Sequence, residues 1–259
     1  MRTLLLVSVL VCTTLVSSSA AQTQITSGVI QGVVTDTTGA TVPGVTVEAR
    51  NLGTNLSRTV VTESDGRFVF LQLPSGTYSV TYTLPGFATL VQENVGLTVG
   101  QAVTLAATMK VSGVAETVRV TGAAPVVETT RSAVAGTLNQ TTVESTPILG
   151  RKFEDLLTLT PGVSVVQGAD GDEITFAGQR GVFNNISLDG GDFNNGFFGE
   201  QVGGQRAAID ITLDAVKEFQ VIASGAPAEF GRTAGGVVNV ITKSGTNEPH
   251  GSLFHFQRL

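Results

Sequence analysis

The sequence predicts a mainly β chain in two parts, a β-sandwich followed by an α+β region, and three observations carry that prediction. From Gly28 to about Lys110, short β-rich runs alternate with turn residues at intervals of roughly ten, the spacing of a sandwich. Farther on, a single stretch at 151–159 has helical rather than strand periodicity. Near the end, Gly225-Ala-Pro-Ala-Glu229-Phe-Gly231-Arg232-Thr-Ala-Gly235-Gly236 leads into the apolar run Val237-Val-Asn-Val240-Ile241, a glycine-rich turn feeding a buried strand bounded by Ser244-Gly245. With 259 residues, 41% hydrophobic and 14% charged, the chain is long and apolar enough for two cores. A net charge of -6 without a basic stripe excludes a nucleic-acid partner, because phosphate binding needs clustered Lys and Arg.

The first 21 residues place Arg2 before an apolar run from Leu4 to Val16 and end on Ser17-Ser-Ser-Ala20-Ala21, small residues suited to cleavage. This is the pattern of a secretory signal peptide over 1–21, and it predicts export. A membrane anchor would need roughly 20 apolar residues, and no later segment supplies such a helix. Cys12 is the sole cysteine and leaves with the signal, so the mature chain would hold no disulfide or cysteine metal site. The lipoprotein alternative would lipidate Cys12, but Val11 before it is large for such a cleavage site.

Within 28–110, Val45, Val47 and Ala49 share one strand face. Asp65-Gly66 precedes Arg67-Phe68-Val-Phe70-Leu71 and Ser75-Gly76 precedes Tyr78-Ser-Val80-Thr-Tyr82, which predicts two hairpin-like reversals. Val103, Leu105, Ala107 and Met109 alternate with Ala102, Thr104, Ala106 and Thr108, giving one packed and one wet face. The order Gly32-Val-Val-Thr-Asp36-Thr-Thr-Gly39-Ala-Thr-Val-Pro43-Gly44, then Ser64-Asp65-Gly66-Arg-Phe68, then Leu73-Pro74-Ser-Gly76-Thr-Tyr78 resembles carboxypeptidase-regulatory-like domains. That resemblance implies a transthyretin-like β-sandwich of seven strands, related to starch-binding-like folds. Asp36 and Asp65 read as turn residues rather than calcium ligands. Tyr78 and Tyr82 are the only tyrosines, share a strand face and read as core.

Residues 111–135 are dominated by Val, Thr, Ala, Gly and Ser, lack aromatics, and read as a linker. Within it Glu116-Thr117-Val118-Arg119-Val120 resembles a TonB box, the extended peptide through which a receptor contacts the periplasmic protein TonB. An extended β-branched segment can join a sheet edge through backbone hydrogen bonds, which tolerates loose sequence. The plain alternative is an ordinary edge strand.

After the linker, Phe153, Leu156, Leu157 and Thr160 fall at helical spacing over 151–159, with Glu154 and Asp155 in the first turn where the helix dipole favours acids. Pro161-Gly162 ends this amphipathic helix. Val163–Val166, an acidic turn at Asp170-Gly-Asp172-Glu173 and Asn- and Gly-rich turns follow. Neither that acidic turn nor the pair Asp189 and Asp192 has an EF-hand register or a neighbouring His, so both read as solvated turns and no metal is expected. His250 and His255 match no peptidase motif. With no nucleophile and base in arrangement, neither catalysis nor a cofactor is expected. Carboxypeptidase-regulatory-like modules accompany metallopeptidases, but the zinc-binding His and Glu residues of such a catalytic domain are missing.

Taken with Gln179-Arg180-Gly181 and Leu188-Asp189-Gly190, the run from Gly225 to Asn247 resembles the plug domain of TonB-dependent outer-membrane receptors of the Oar-like branch. The resemblance assigns plug motifs to Arg180, Gly181, Asp189, Gly190, Glu229, Gly231, Arg232, Gly235 and Gly236, residues that would hold a plug against a barrel wall. Arg180 and Arg232 would bond barrel or plug carboxylates through their guanidinium forks, the alternative being exposed loop arginines. At the end, Phe254 and Phe256 alternate with His255 and Gln257, as in a first barrel strand with aromatics toward lipid. A barrel of about 22 strands needs several hundred further residues, so the chain is expected to be the N-terminal portion of a receptor, truncated at the start of the barrel.

The expected divisions are therefore 1–21 signal peptide, 28–110 sandwich, 111–135 linker, 136–248 α+β plug and 249–259 first barrel strand. The resemblance implies TonB, an outer-membrane β-barrel and an imported substrate such as a carbohydrate as partners, and an outer-membrane location with the N-terminal region facing the periplasm. The competing expectation is a secreted or surface carbohydrate-binding or adhesion module built on the sandwich.

Overall fold

The computed structural model describes residues 26–112, 117–121, 134–148, 153–168, 171–179, 181–194, 211–228, 230–231, 233–249 and 251. The expected signal peptide, residues 250 and 252–259 of the barrel strand expected at 249–259, and Glu116, Arg180, Glu229 and Arg232 lie outside these residues.

The alternation read in the first part becomes two facing sheets. One is mixed, with strand order β4-β1-β7: β1 (Ser27–Asp36) runs antiparallel to β4 (Arg67–Pro74) and parallel to β7 (Ala102–Met109). The other has the order β3-β2-β5-β6-β8, built from β2 (Thr46–Asn51), β3 (Ser57–Val61), β5 (Gly76–Thr83), β6 (Thr89–Leu97) and β8 (Thr117–Thr121). Because side chains alternate across a strand, each sheet contributes one apolar face to a shared core. Ile30, Val34, Phe70 and Val103 meet Val47, Val80 and Val95, all essentially without exposure. The rings of Phe68 and Tyr82 cross this core edge to face at 5.7 Å. On β7 the predicted alternation holds, with Val103, Leu105, Ala107 and Met109 buried.

The two expected reversals form, but neither is a hairpin. At Asp65-Gly66 the Asp65 carboxylate accepts from the Arg67 N–H at 3.0 Å, and the chain passes from β3 in one sheet to β4 in the other. At Ser75-Gly76 it passes back, from β4 to β5. A turn dipeptide sets a change of direction but not the backbone partner. Phe68 and Phe70 turn β4 toward the core from the opposite side, where its hydrogen-bonding partner is the distant β1. The hairpins of this half join β2 to β3 and β5 to β6 instead.

One polar bridge crosses the sandwich. The Tyr82 hydroxyl on β5 donates to Gln92 Oε1 on β6 at 2.8 Å, and Gln92 Nε2 donates to the Ala106 carbonyl on β7 at 2.9 Å. Burial pushes the Tyr82 phenol well above its ordinary pKa.

The second half is α+β, as expected. Its main sheet has the order β13-β12-β15-β14-β9, formed by β9 (Val134–Leu138), β12 (Asn185–Leu188), β13 (Gly191–Asp192), β14 (Val216–Ser224) and β15 (Val237–Thr242). A separate hairpin pairs β10 (Val163–Gly168) with β11 (Gly171–Phe176). Helix α1 (Gln140–Ser145) starts at Asn139, whose side chain accepts from the Thr142 N–H at 3.0 Å and satisfies one free donor of the first turn. Helix α2 (Phe153–Leu157) buries Phe153, Leu156 and Leu157 completely and sets Phe153 edge-on to Phe219 of β14 at 6.5 Å. It is shorter than the stretch read from periodicity. Thr160 is buried as expected, but its N–H bonds the Leu157 carbonyl in a tightened last turn before Pro161.

Replacing Tyr82 by Phe leaves Gln92 Oε1 without its donor inside the core. This variant is expected to lose about 1–3 kcal/mol of stability in urea unfolding. Loss near zero would mean that the bridge contributes nothing net.

Candidate functional site

Of the motif residues read from sequence, the described ones, Gly181, Asp189, Gly190, Gly231, Gly235 and Gly236, collect at the two ends of one parallel strand pair. Strands β12 and β15 run side by side from Asn185↔Val237 to Leu188↔Val240. At their start, Gly181–Phe183 forms a 3-10 turn whose Phe183 carbonyl accepts from the N–H groups of Ala234 at 3.1 Å and Gly235 at 2.9 Å. Beside it Asn184, buried, donates through Nδ2 to the Ile174 carbonyl at 2.6 Å and accepts through Oδ1 from the Gly236 N–H at 3.2 Å. Asn185 donates to the Gly231 carbonyl at 2.9 Å. Gly181 is therefore brought to one corner with Gly231, Gly235 and Gly236, which lie far from it in sequence.

The two later glycines are there for space. A Cβ on Gly235 would lie 2.4 Å from Asn184 Oδ1, and one on Gly236 would lie 2.3 Å from the Phe176 ring. Gly231 has open space around it, so its place in the motif has no steric cause in this structure.

At the far end of the pair, Asp189 and Gly190 both take positive φ, 49° and 82°, and close the β12–β13 hairpin. The Asp189 carboxylate accepts from the Thr242 N–H at 2.9 Å and its hydroxyl at 2.7 Å, fastening the end of β15. Asp192 receives the Asn194 N–H at 3.0 Å. In the sandwich, Asp36 accepts from the Thr38 and Ala40 N–H groups at 2.8 and 3.0 Å, and the Thr38 side chain holds its carboxyl below the usual range. Asp36 and Asp192 are engaged within their own turns, whereas Asp189, read as a solvated turn residue, is instead tied to β15.

The segment Thr117-Val118-Arg119-Val120 lies on the sandwich as β8, parallel to β6 from Thr89↔Thr117 to Glu93↔Thr121. Val118 is half-buried against the sandwich core, while Arg119 is exposed and pairs with Glu93 at 3.1 Å. Residues 122–133, outside the described set, join it to β9, an edge strand on which only Leu138 is buried.

A further group escaped the sequence. Lys217 on β14 reaches across to the sandwich and donates to the Ser75 carbonyl at 2.7 Å, and the Asn247 N–H bonds the Gly53 carbonyl at 3.2 Å. Next to Lys217, Glu218 is 3% exposed and its Oε1 has no partner among the described residues. Burial pushes the Glu218 carboxyl up, against the opposing pull of Ser75, Lys217 and the Val99 backbone. Only a break in strand alternation at this point, an acid amid Val216, Phe219 and Val221, marks it in the sequence.

Residues 29–110 match the family model of the carboxypeptidase regulatory-like domain, and residues 126–238 match that of the TonB-dependent receptor plug domain. Over 218 residues the chain is 26% identical to the TonB-dependent transporter Oar of Myxococcus xanthus, covering 81% of this chain and 20% of that relative. This chain thus spans a fifth of the relative's length. Among solved structures, the outer membrane transporter YddB from Escherichia coli is 19% identical, with 46% of this chain and 19% of that chain covered at a TM-score of 0.38. A catechol 1,2 dioxygenase of Acinetobacter radioresistens is 13% identical, with 39% and 60% covered at a TM-score of 0.29.

Two predictions follow from the packing. Gly236→Ala should cost about 1–3 kcal/mol in urea unfolding because the Phe176 ring must move, whereas Gly231→Ala should stay within about 0.5 kcal/mol. Equal losses at the two sites would contradict the steric reading. Glu218, an acid whose folded pKa is raised, binds its proton more tightly in the folded chain, so its contribution falls as pH rises from the ordinary glutamate range through the folded value. Glu218→Gln is therefore expected to raise the melting temperature at neutral pH and to leave it unchanged in acid below that range; a variant less stable at neutral pH would refute this.

Proposed function

We propose that this chain, a carboxypeptidase regulatory-like sandwich followed by a TonB-dependent receptor plug domain, is the front end of an outer-membrane receptor. The plug closes a β-barrel contributed by the remainder of the receptor, and the sandwich faces the periplasm. The role is gated uptake, with no catalysis by this part of the receptor.

The observation that carries the proposal is the order of parts around Glu116–Val120. The segment stands between the sandwich and β9, so a pull applied to it by TonB reaches the plug first at an edge strand. That strand is weakly held. Among the described residues it pairs only with β14, its register is irregular between Ile222 and Ser224, and it buries one side chain. Strands detach where buried contacts are fewest, so β9 yields before β12 and β15, which Asn184 and Asp189 fasten at both ends. The Asn- and Gly-rich stretch from Gly190 to Gly204 is a further candidate for the soft part of the plug by composition; its residues 195–204 lie outside the described set.

Arg180 and Arg232 flank the glycine corner in sequence, and we assign them charge-assisted bonds to carboxylates of the barrel or plug. The carbohydrate-binding alternative would stack sugars on exposed aromatic rings, yet Tyr78 and Tyr82 are both fully buried.

Deleting Glu116–Val120 in the complete receptor is expected to abolish TonB-driven uptake while outer-membrane assembly continues, measured by uptake in whole cells and by membrane fractionation. Uptake at the normal rate without these residues would overturn the proposal. Arg180→Ala and Arg232→Ala should each raise passive entry of a large antibiotic, and unchanged entry in both would remove the role given to the arginines.

A further inference from the structure

The contact segment does not hang free. Residues 117–121 complete the sandwich's second sheet, and Val118 faces the sandwich core. We infer that the sandwich stores this segment, so that recruitment by TonB is a strand exchange in which β8 leaves β6. The inference rests on the reading of Glu116–Val120 as the TonB contact.

The geometry supplies the competition. A partner that takes the segment as a strand of its own sheet needs one of its backbone edges and packs on one or both of its faces. One of them, through Val118, is now turned onto the sandwich core, and the backbone groups on one edge are bonded to β6. The geometry also keeps the storage shallow. The pairing spans Thr117 to Thr121 alone and is parallel, the weaker of the two ladders. Of the side chains between Thr117 and Val120, only Val118 is even partly buried, since Thr117, Arg119 and Val120 are exposed. The Arg119–Glu93 pair is a surface pair, with Arg119 74% exposed. Such a strand opens locally without unfolding the sandwich. A released fraction below one then weakens the apparent affinity for TonB by that fraction.

The test measures binding of the periplasmic domain of TonB to three probes. The first is a synthetic peptide of residues 115–122. The second is the full chain in detergent, with Cys12→Ser, carrying Val91→Cys and Arg119→Cys at register partners of β6 and β8, compared oxidised and reduced. The third is the full chain with Glu93→Lys, which leaves the segment's own sequence intact. The peptide should bind, the oxidised chain should bind at least about tenfold more weakly than the same chain reduced, and E93K should bind about two- to fivefold more tightly than the unchanged chain, the range a lost surface ion pair spans. Equal binding of the oxidised and reduced chains together with unchanged binding of E93K would overturn the inference while the contact reading stands. Failure of the disulfide to form in the folded chain would also overturn it, since β8 would not lie on β6. A peptide that does not bind would instead sink the contact reading itself.

Discussion

Most of the second half is organised around the buried carboxamide of Asn184. A primary amide offers both a donor and an acceptor from one rigid plane, and here each is used on the backbone of a different segment, Ile174 within β11 and Gly236 just before β15. Removed from water, neither bond can be replaced cheaply, so the three segments are held in fixed relation. The adjacent glycines follow from the same constraint. Where the Asn184 amide and the Phe176 ring come within contact of the backbone, no side chain fits.

Against this fixed centre the margins are lightly built. The main sheet of the second half ends in the two-residue β13 on one side and in β9 on the other, and the sandwich's second sheet ends in β8. All are short, and β8 and β9 bury little. Rigid interiors with yielding edges are what the gating proposed above would use. The junction between the halves is polar by contrast, with Lys217 and Glu218 set against Ser75. A buried carboxyl with an unsatisfied oxygen is a poor adhesive, so this contact is specific rather than strong.

Local patterns were legible in the sequence and long-range pairings were not. Alternation on β7, the burial of Tyr78 and Tyr82, the helical spacing of Phe153, Leu156 and Leu157, and the turn at Asp189-Gly190 all depend on neighbours within a few residues, and all appear as read. The partners of β1, one antiparallel and one parallel and distant in sequence, leave no local trace, which is why Asp65-Gly66 and Ser75-Gly76 read as hairpins although each crosses between sheets. Helix α1 escaped because Val143 is its only buried side chain, too little to make a period. At the candidate site the glycines were visible as a motif, but the amide that makes them necessary was not, since Asn184 reads as one more turn residue. The Glu116–Val120 segment was readable as strand-like; that its partner is β6 depends on contacts no short window contains.

The bridge from Tyr82 through Gln92 to Ala106 has a mechanical side. Two sheets joined only by apolar side chains resemble greased plates, which resist separation but slide with little directional preference. A hydrogen-bonded link from β5 and β6 in one leaf to β7 in the other has one preferred alignment and pins the leaves against sliding. A sideways load on one leaf is therefore shared by the other, and the sandwich resists it as one block.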